Sequence, residues 1–133
     1  MVVDDETIMR ELVTDTLEMS GHECLSFADP QLALEAFKSS SPDLIVSDFK
    51  MPGMTGMELL QEVQKINPGQ PFIIMTAFGT IEIAVEAIKN GAENFIEKPF
   101  QPEILEHLVA SVLEHQRIKA ENKSLRQQLK GQN

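Results

Sequence analysis

Five short apolar runs, separated by longer segments of helical period, constrain this chain more than any other feature. "MVVD" at 1–4, "CLSF" at 24–27, "LIVS" at 44–47, "FIIMT" at 72–76 and "NFIE" at 94–97 read as strands. Between them, Ile8, Leu12, Val13, Thr16 and Leu17 give the apolar stripe of a first helix that Gly21 ends. Asp29 caps and Pro30 starts a second, which carries Ala33, Leu34 and Phe37. Met57, Leu60, Val63 and Gln64 outline a third, closed by "NPG" at 67–69. Ile81, Ala84, Val85 and Ile88 are expected to line the fourth, with Ile83 and Ala87 on its less buried side, before Asn90 and Gly91 end it. Strands alternating with helices imply a parallel sheet, because a crossover helix returns the chain to start a neighbouring parallel strand. Near-continuous apolar strands imply helices on both faces. The expected fold is therefore α/β, a doubly wound five-stranded parallel sheet.

In such sheets the sites lie beyond the carboxyl ends of the strands. Strand one ends in Asp4 and Asp5, strand three in Asp48, strand four in Thr76 and strand five in Lys98, followed by Pro99. Two like charges ~4 Å apart cost about 4 kcal/mol at an effective dielectric of 20, so three converging carboxylates require positive charge among them. Lys98 supplies one. Oxygen ligands with no His or Cys nearby select a hard divalent cation, Mg²⁺ rather than zinc. Such an ion keeps positions open for water and a phosphate. A carboxylate can attack phosphorus to form an acyl phosphate, a lysine and a cation neutralise the transferring oxygens, and a Thr hydroxyl can donate to another. Gly53 and Gly56 let the following loop turn tightly beside the site. Both isomers of the Lys98–Pro99 bond are open at this level.

"VVDDE" (2–6), "SDFKMPGMTG" (47–56), "TAFG" (76–79) and "EKPF" (97–100), in this order and spacing, resemble the receiver domain of a two-component response regulator over roughly residues 1–115. The resemblance implies a flavodoxin- or CheY-like sheet of strand order 2-1-3-4-5. It implies that Asp48 is the phosphoacceptor, charged from a sensor histidine kinase, and that Asp5 and Asp48 ligate Mg²⁺ directly. Asp4 would act mainly through water, and the backbone carbonyl of Lys50 would be a third protein ligand. Thr76 and Lys98 would contact the phosphoryl oxygens. Phe95 and Pro99 would form the switch, the Phe95 ring turning inward as Thr76 moves toward the phosphate. The domain would be phosphorylatable rather than an enzyme, with self-catalysed phosphotransfer and slow autodephosphorylation. Strand one, with three residues before Asp4, departs from the family pattern, so it is either truncated or preceded by residues missing from this chain. A haloacid-dehalogenase-like phosphatase needs an acid two residues after its Asp, where this chain has Lys50. A flavodoxin-like flavin module needs Ser, Thr and Gly in its first loop, where this chain has Asp-Asp-Glu.

Nothing breaks the helix from Glu103 to Leu129, which at ~1.5 Å per residue extends about 40 Å and must project beyond the sheet. Ile118, Asn122, Leu125 and Leu129 follow a 4-3-4 spacing, with Leu105, Leu108, Val112 and His115 upstream, and Asn122 takes an a position. A homodimer through a coiled-coil linker is expected, dividing the chain into a receiver domain at 1–115 and a helical linker at 116–133. Helix four, strand five and this linker resemble the NtrC/DctD-type activators that act with the sigma-54 form of RNA polymerase. There the linker leads to an ATPase and a helix-turn-helix DNA-binding domain. No Walker loop follows here, so the chain is expected to be the regulatory module of a longer protein.

Residues 1–114 hold 20 acidic and 6 basic side chains, whereas 115–133 hold one acid and five bases. The acidic body should repel nucleic acid, and the interspersed basic residues of the tail read as a solvated helix face. No apolar run approaches the ~20 residues of a membrane span and no leader is visible, so a cytoplasmic location is expected. Cys24 is alone, which rules out an internal disulfide and suits a small apolar strand residue. His22, His107 and His115 read as surface residues, and Met51, Met54 and Met57 as loop packing.

Overall fold

Successive residues of a strand point to opposite faces of its sheet, and here that alternation divides the core in two. The computed structural model describes residues 1–77 and 79–131, with side chains through residue 122. In β1 (Val2–Val3), β3 (Ile45–Asp48) and β4 (Phe72–Thr76), Val3, Ile45, Phe72 and Ile74 enter one apolar cluster. Val2, Val46, Ile73 and Met75 enter the other. With β2 (Ser26–Phe27) and β5 (Asn94–Glu97) they form a five-stranded sheet of order β2-β1-β3-β4-β5, with every neighbouring pair parallel. The strand order is the one that the resemblance implied. β1, β2 and β3 are shifted or shorter than the apolar runs suggested, because Met1, Asp4, Cys24, Leu25 and Leu44 fall outside the ladder.

The first cluster is covered by α2 (Pro30–Ser39), α3 (Gly56–Ile66) and Ala87 of α4 (Ile81–Lys89). The second is covered by Val13 and Leu17 of α1 (Thr7–Met19) and by Leu105, Val109 and Val112 of α5 (Pro102–Gly131). Fully burying each such side chain stabilises the fold by roughly 1.5–3 kcal/mol before entropy is counted. Met51, Met54 and Met57 are buried in the first cluster, as loop packing required. The Asp29 carboxylate accepts from the Gln31 N–H at 2.9 Å, with Pro30 in the first turn of α2. α3 starts on a capping box in which the Glu58 N–H donates to Thr55 Oγ1 at 3.1 Å and the Thr55 N–H to Glu58 Oε1 at 3.4 Å. This fixes where the loop after β3 ends.

Two helix faces differ from expectation. In α1, Val13, Thr16 and Leu17 are buried, but Ile8 is 83% exposed and Leu12 is exposed too; Met9 packs inward instead. In α4, Ile81, Val85 and Ile88 are exposed, whereas Ala87 is buried and Ile83 and Ala84 are half-buried. Ile83 and Ala87 thus lie on the inner side of α4, the reverse of their expected placement. Six of its nine residues are apolar, so the pattern alone could not choose a face.

α5 leaves the sheet after Val112 and Leu113, the last of its residues in the second cluster. Leu105 and Val112 are buried against the sheet and are not available to a dimer seam. Ile118 and Asn122 are exposed; the side chains of Leu125 and Leu129 lie outside the described residues. Glu93, whose N–H donates to the Phe72 carbonyl at 2.8 Å, meets the helix where it departs. Its carboxylate accepts from Gln116 Nε2 at 2.9 Å and lies 3.7 Å from His115 Nδ1 and 3.8 Å from Lys119 Nζ. Arg117 bridges Glu114 and Glu121 on the solvated side. Among the described residues no helix is long and apolar enough to cross a membrane.

Candidate functional site

The strand ends converge as the parallel topology demands. One carboxylate oxygen from each of Asp4, Asp5 and Asp48 lies within 4.8 Å of the others. Asp5 and Asp48 open onto a cavity of about 430 Å³ that Glu6, Lys50, Met51, Pro52, Thr76, Ala77 and Lys98 also line. The six residues expected to act there, Asp4, Asp5, Asp48, Lys50, Thr76 and Lys98, are therefore neighbours. Phe95 is not among the lining residues; it is half-buried against the first core cluster. Pro99 is exposed, and the Lys98–Pro99 peptide is cis.

Asp4 is 0% exposed and lies beneath the cavity. Its Oδ1 accepts from the Glu6 N–H at 2.9 Å and its Oδ2 from Lys98 Nζ at 3.0 Å. Lys98 Nζ also lies 3.2 Å from Asp48 Oδ1, which accepts from the Phe49 N–H at 3.0 Å. Asp48 Oδ2 has no hydrogen-bond partner among the described residues. One oxygen of Asp48 is thus anchored while the other is available for chemistry. Gly53 holds φ at 85° in the intervening loop, and Gly56 packs directly on the Asp48 carbonyl.

Burial, and then the Asp4 charge, raise the Asp48 pKa above the ordinary carboxylate value, against the opposing pull of Lys98. For Lys98, burial lowers the pKa, but the Asp4 hydrogen bond and the Asp4 and Asp48 charges outweigh it and raise the ammonium pKa. A folded-state pKa above the unfolded value means that ionised Asp48 opposes folding. That opposition is absent below the unfolded carboxylate pKa and complete once pH has risen past the folded one. Asp48→Asn is therefore expected to raise Tm at neutral pH in metal-free buffer. The gain should vanish in acid; thermal melts across pH read it, and a lower Tm for the variant at pH 7 would contradict the electrostatics. The Lys98 contribution has the opposite window, intact through neutral pH and lost only in strong alkali.

The three clustered carboxylates offer only oxygen atoms, Lys98 pairs with two of them, and among the described residues no His or Cys joins the cluster. This donor set fits a hard divalent cation. Two neighbours were missed in the sequence. Glu6 closes an Asx turn on Asp4, a signal carried by its position two residues on. Arg10, whose Nη1 donates to the Asp4 carbonyl at 2.9 Å, reaches back from α1 and belongs to no motif.

Comparison with known proteins matches residues 1–110 to the response regulator receiver domain. The C4-dicarboxylate transport transcriptional regulatory protein DctD of Rhizobium meliloti is 36% identical over 94% of this chain and 27% of its own length. The chain thus spans about a quarter of that relative. The chemotaxis protein CheY of Thermotoga maritima is 38% identical over 77% of this chain and 86% of its own. The crystal structure of NtrX from Brucella abortus superposes with a TM-score of 0.88 at 38% identity, covering 94% of this chain and 29% of that one. Neither the phosphatase nor the flavin-module reading finds support.

Proposed function

The chain belongs to the response regulator receiver domain family, and from that premise we propose that Asp48 accepts a phosphoryl group from the phosphohistidine of a sensor histidine kinase, in a Mg²⁺-dependent reaction. The observation that carries this reading is the Asp48 carboxylate, with Oδ1 anchored by Phe49 and Lys98 and an oxygen within 4.8 Å of one from Asp4 and one from Asp5. Asp48 Oδ2 attacks phosphorus, the P–N bond to the donor imidazole breaks, and its electron pair stays on the ring nitrogen. Lys98 Nζ and the Thr76 hydroxyl stabilise the oxygens of the transferring group. Asp5, Asp48 and the Lys50 carbonyl would hold Mg²⁺, which supplies charge neutralisation for those oxygens when bound. Asp4 would reach it through water, since both its carboxylate oxygens already accept hydrogen bonds. Incubation with acetyl phosphate should give a hydroxylamine-labile label that requires added Mg²⁺. Equal labelling in EDTA would overturn the reading.

Phosphorylation adds charge at a packed site and, in this reading, draws Thr76 and Phe95 toward it, with Pro99 beside the lysine. The β4 to α5 face is biased to a second arrangement. The contact points on α4 are its exposed apolar residues Ile81, Val85 and Ile88, in place of Ile83 and Ala87. Residues 1–115 are the receiver and 116–133 the linker, and Ile118, Asn122, Leu125 and Leu129 form the seam of a homodimer. Output ATPase and DNA-binding domains belong to a longer, cytoplasmic parent chain, and this part binds no nucleic acid. Trimming after His115 should convert a dimer to a monomer in sedimentation equilibrium. A dimer of unchanged strength would remove the seam from the account.

A further inference from the structure

We infer that Arg10 is a positioning residue for the divalent-cation site, acting through the Asp4–Asp5 peptide; the inference rests on the magnesium reading proposed above. The three acids are held very unequally. Asp4 is locked through both carboxylate oxygens, by the Glu6 N–H and by Lys98. Asp48 is held by the Phe49 N–H and by Lys98. Asp5 is exposed, and its side chain makes no hydrogen bond or ion pair among the described residues. Its place is inherited from the backbone.

That backbone is held on either side, by the Asp4 N–H donating to the Phe27 carbonyl at 3.1 Å and by the Glu6 N–H donating to Asp4 Oδ1, and the peptide between Asp4 and Asp5 is held by a side chain. The Asp4 carbonyl is the oxygen of the peptide that leads into Asp5, and it accepts from Arg10 Nη1 at 2.9 Å. The peptide is planar, so holding its oxygen sets the plane and the direction in which the Asp5 Cα departs. Arg10 itself stands on firm ground. Its N–H donates to the Glu6 carbonyl at 2.9 Å in the first turn of α1, a helix that Val13 and Leu17 pack onto the sheet. The guanidinium therefore ties the turn bearing Asp4 and Asp5 to a helix, and no other described side chain reaches that carbonyl.

Charge and geometry make opposite predictions about this residue. A cation beside an acidic cluster competes with a bound divalent ion, so Coulomb attraction alone says that removing Arg10 tightens Mg²⁺ binding. Positioning says the reverse: losing an outer partner that orients a ligand weakens metal affinity by roughly 10–100-fold. Calorimetric Mg²⁺ titration of the wild-type chain, Arg10→Gln and Arg10→Lys at one ionic strength separates them, with thermal melts to confirm folding. We expect Arg10→Gln to bind at least about tenfold more weakly, and Arg10→Lys, which keeps a charged donor, to recover most of the loss. Arg10→Gln binding as tightly as wild type, or more tightly, overturns the inference. Should Arg10→Gln fail to fold, Arg10→Met takes its place, keeping the aliphatic stem without the donor: weaker Mg²⁺ binding by the folded variant supports the role, and wild-type or tighter affinity overturns it. Absence of binding by the wild-type chain would instead sink the magnesium reading itself.

Discussion

Asp48→Asn is expected to give a folded protein that takes no hydroxylamine-labile label from acetyl phosphate and Mg²⁺, a loss on the order of 10⁴ or more. The substitution keeps the shape of the side chain and an oxygen able to accept from the Phe49 N–H, which holds Asp48 Oδ1 at 3.0 Å in the parent. What it removes is the nucleophile, because an amide has no anionic oxygen to form the acyl phosphate. It also relieves the buried charge whose pKa the site raises, so loss of labelling should accompany a gain in stability rather than unfolding. Both effects in one variant would be difficult to attribute to damage. Labelling of the variant to the extent of the parent would place the acceptor elsewhere.

Gly56→Ala is expected to cost about 2–3 kcal/mol in chemical denaturation and to weaken Mg²⁺ binding as well. A Cβ at residue 56 would collide with the Asp48 carbonyl oxygen and sit 3.0 Å from Phe49 Cα and 3.1 Å from the Asp48 carbonyl carbon. These are backbone atoms that cannot swing aside. The Gly56 N–H also donates to the Phe49 carbonyl at 2.8 Å, which holds the start of α3 against the end of β3. Any shift that makes room must move Asp48. Gly53→Ala is the control: its backbone is left-handed at φ 85° but its surroundings are open, so only conformational strain of ~1 kcal/mol is expected. Equal costs at the two positions would refute the close-approach argument.

Strand and site were legible in this chain for a common reason. Runs such as "FIIMT" must be buried on both faces, and a buried parallel strand that ends abruptly in Asp48 or Thr76 has carried a polar group to the one edge where it can work. Helix faces were less legible where apolar residues exceed what one face requires. α4 is the clear instance, since Ile81 at 82% exposure and Ala87 at none are both compatible with a helical stripe. Ile8 in α1 misled in the same way. The Arg10 grip on Asp4 and the Glu93 contacts to α5 depend on which side chains a finished fold brings within reach, and neither spacing nor composition encodes that. The capping box of Thr55 and Glu58 was encoded as T-x-x-E and could have been read.

The meeting of Glu93 with His115, Gln116 and Lys119 has a mechanical meaning. The 18 residues of α5 beyond Leu113 form a rod of roughly 27 Å that leaves the sheet beside Glu93. There the Glu93 carboxylate, on a residue whose backbone N–H donates to the Phe72 carbonyl at the start of β4, reaches His115, Gln116 and Lys119 on two successive turns of the rod. A tilt of about 10° there sweeps the far tip through about 5 Å, close to one helical pitch. A lever of these proportions, with a very short inner arm, would turn sub-ångström adjustments at the sheet into displacements of several ångströms along the rod.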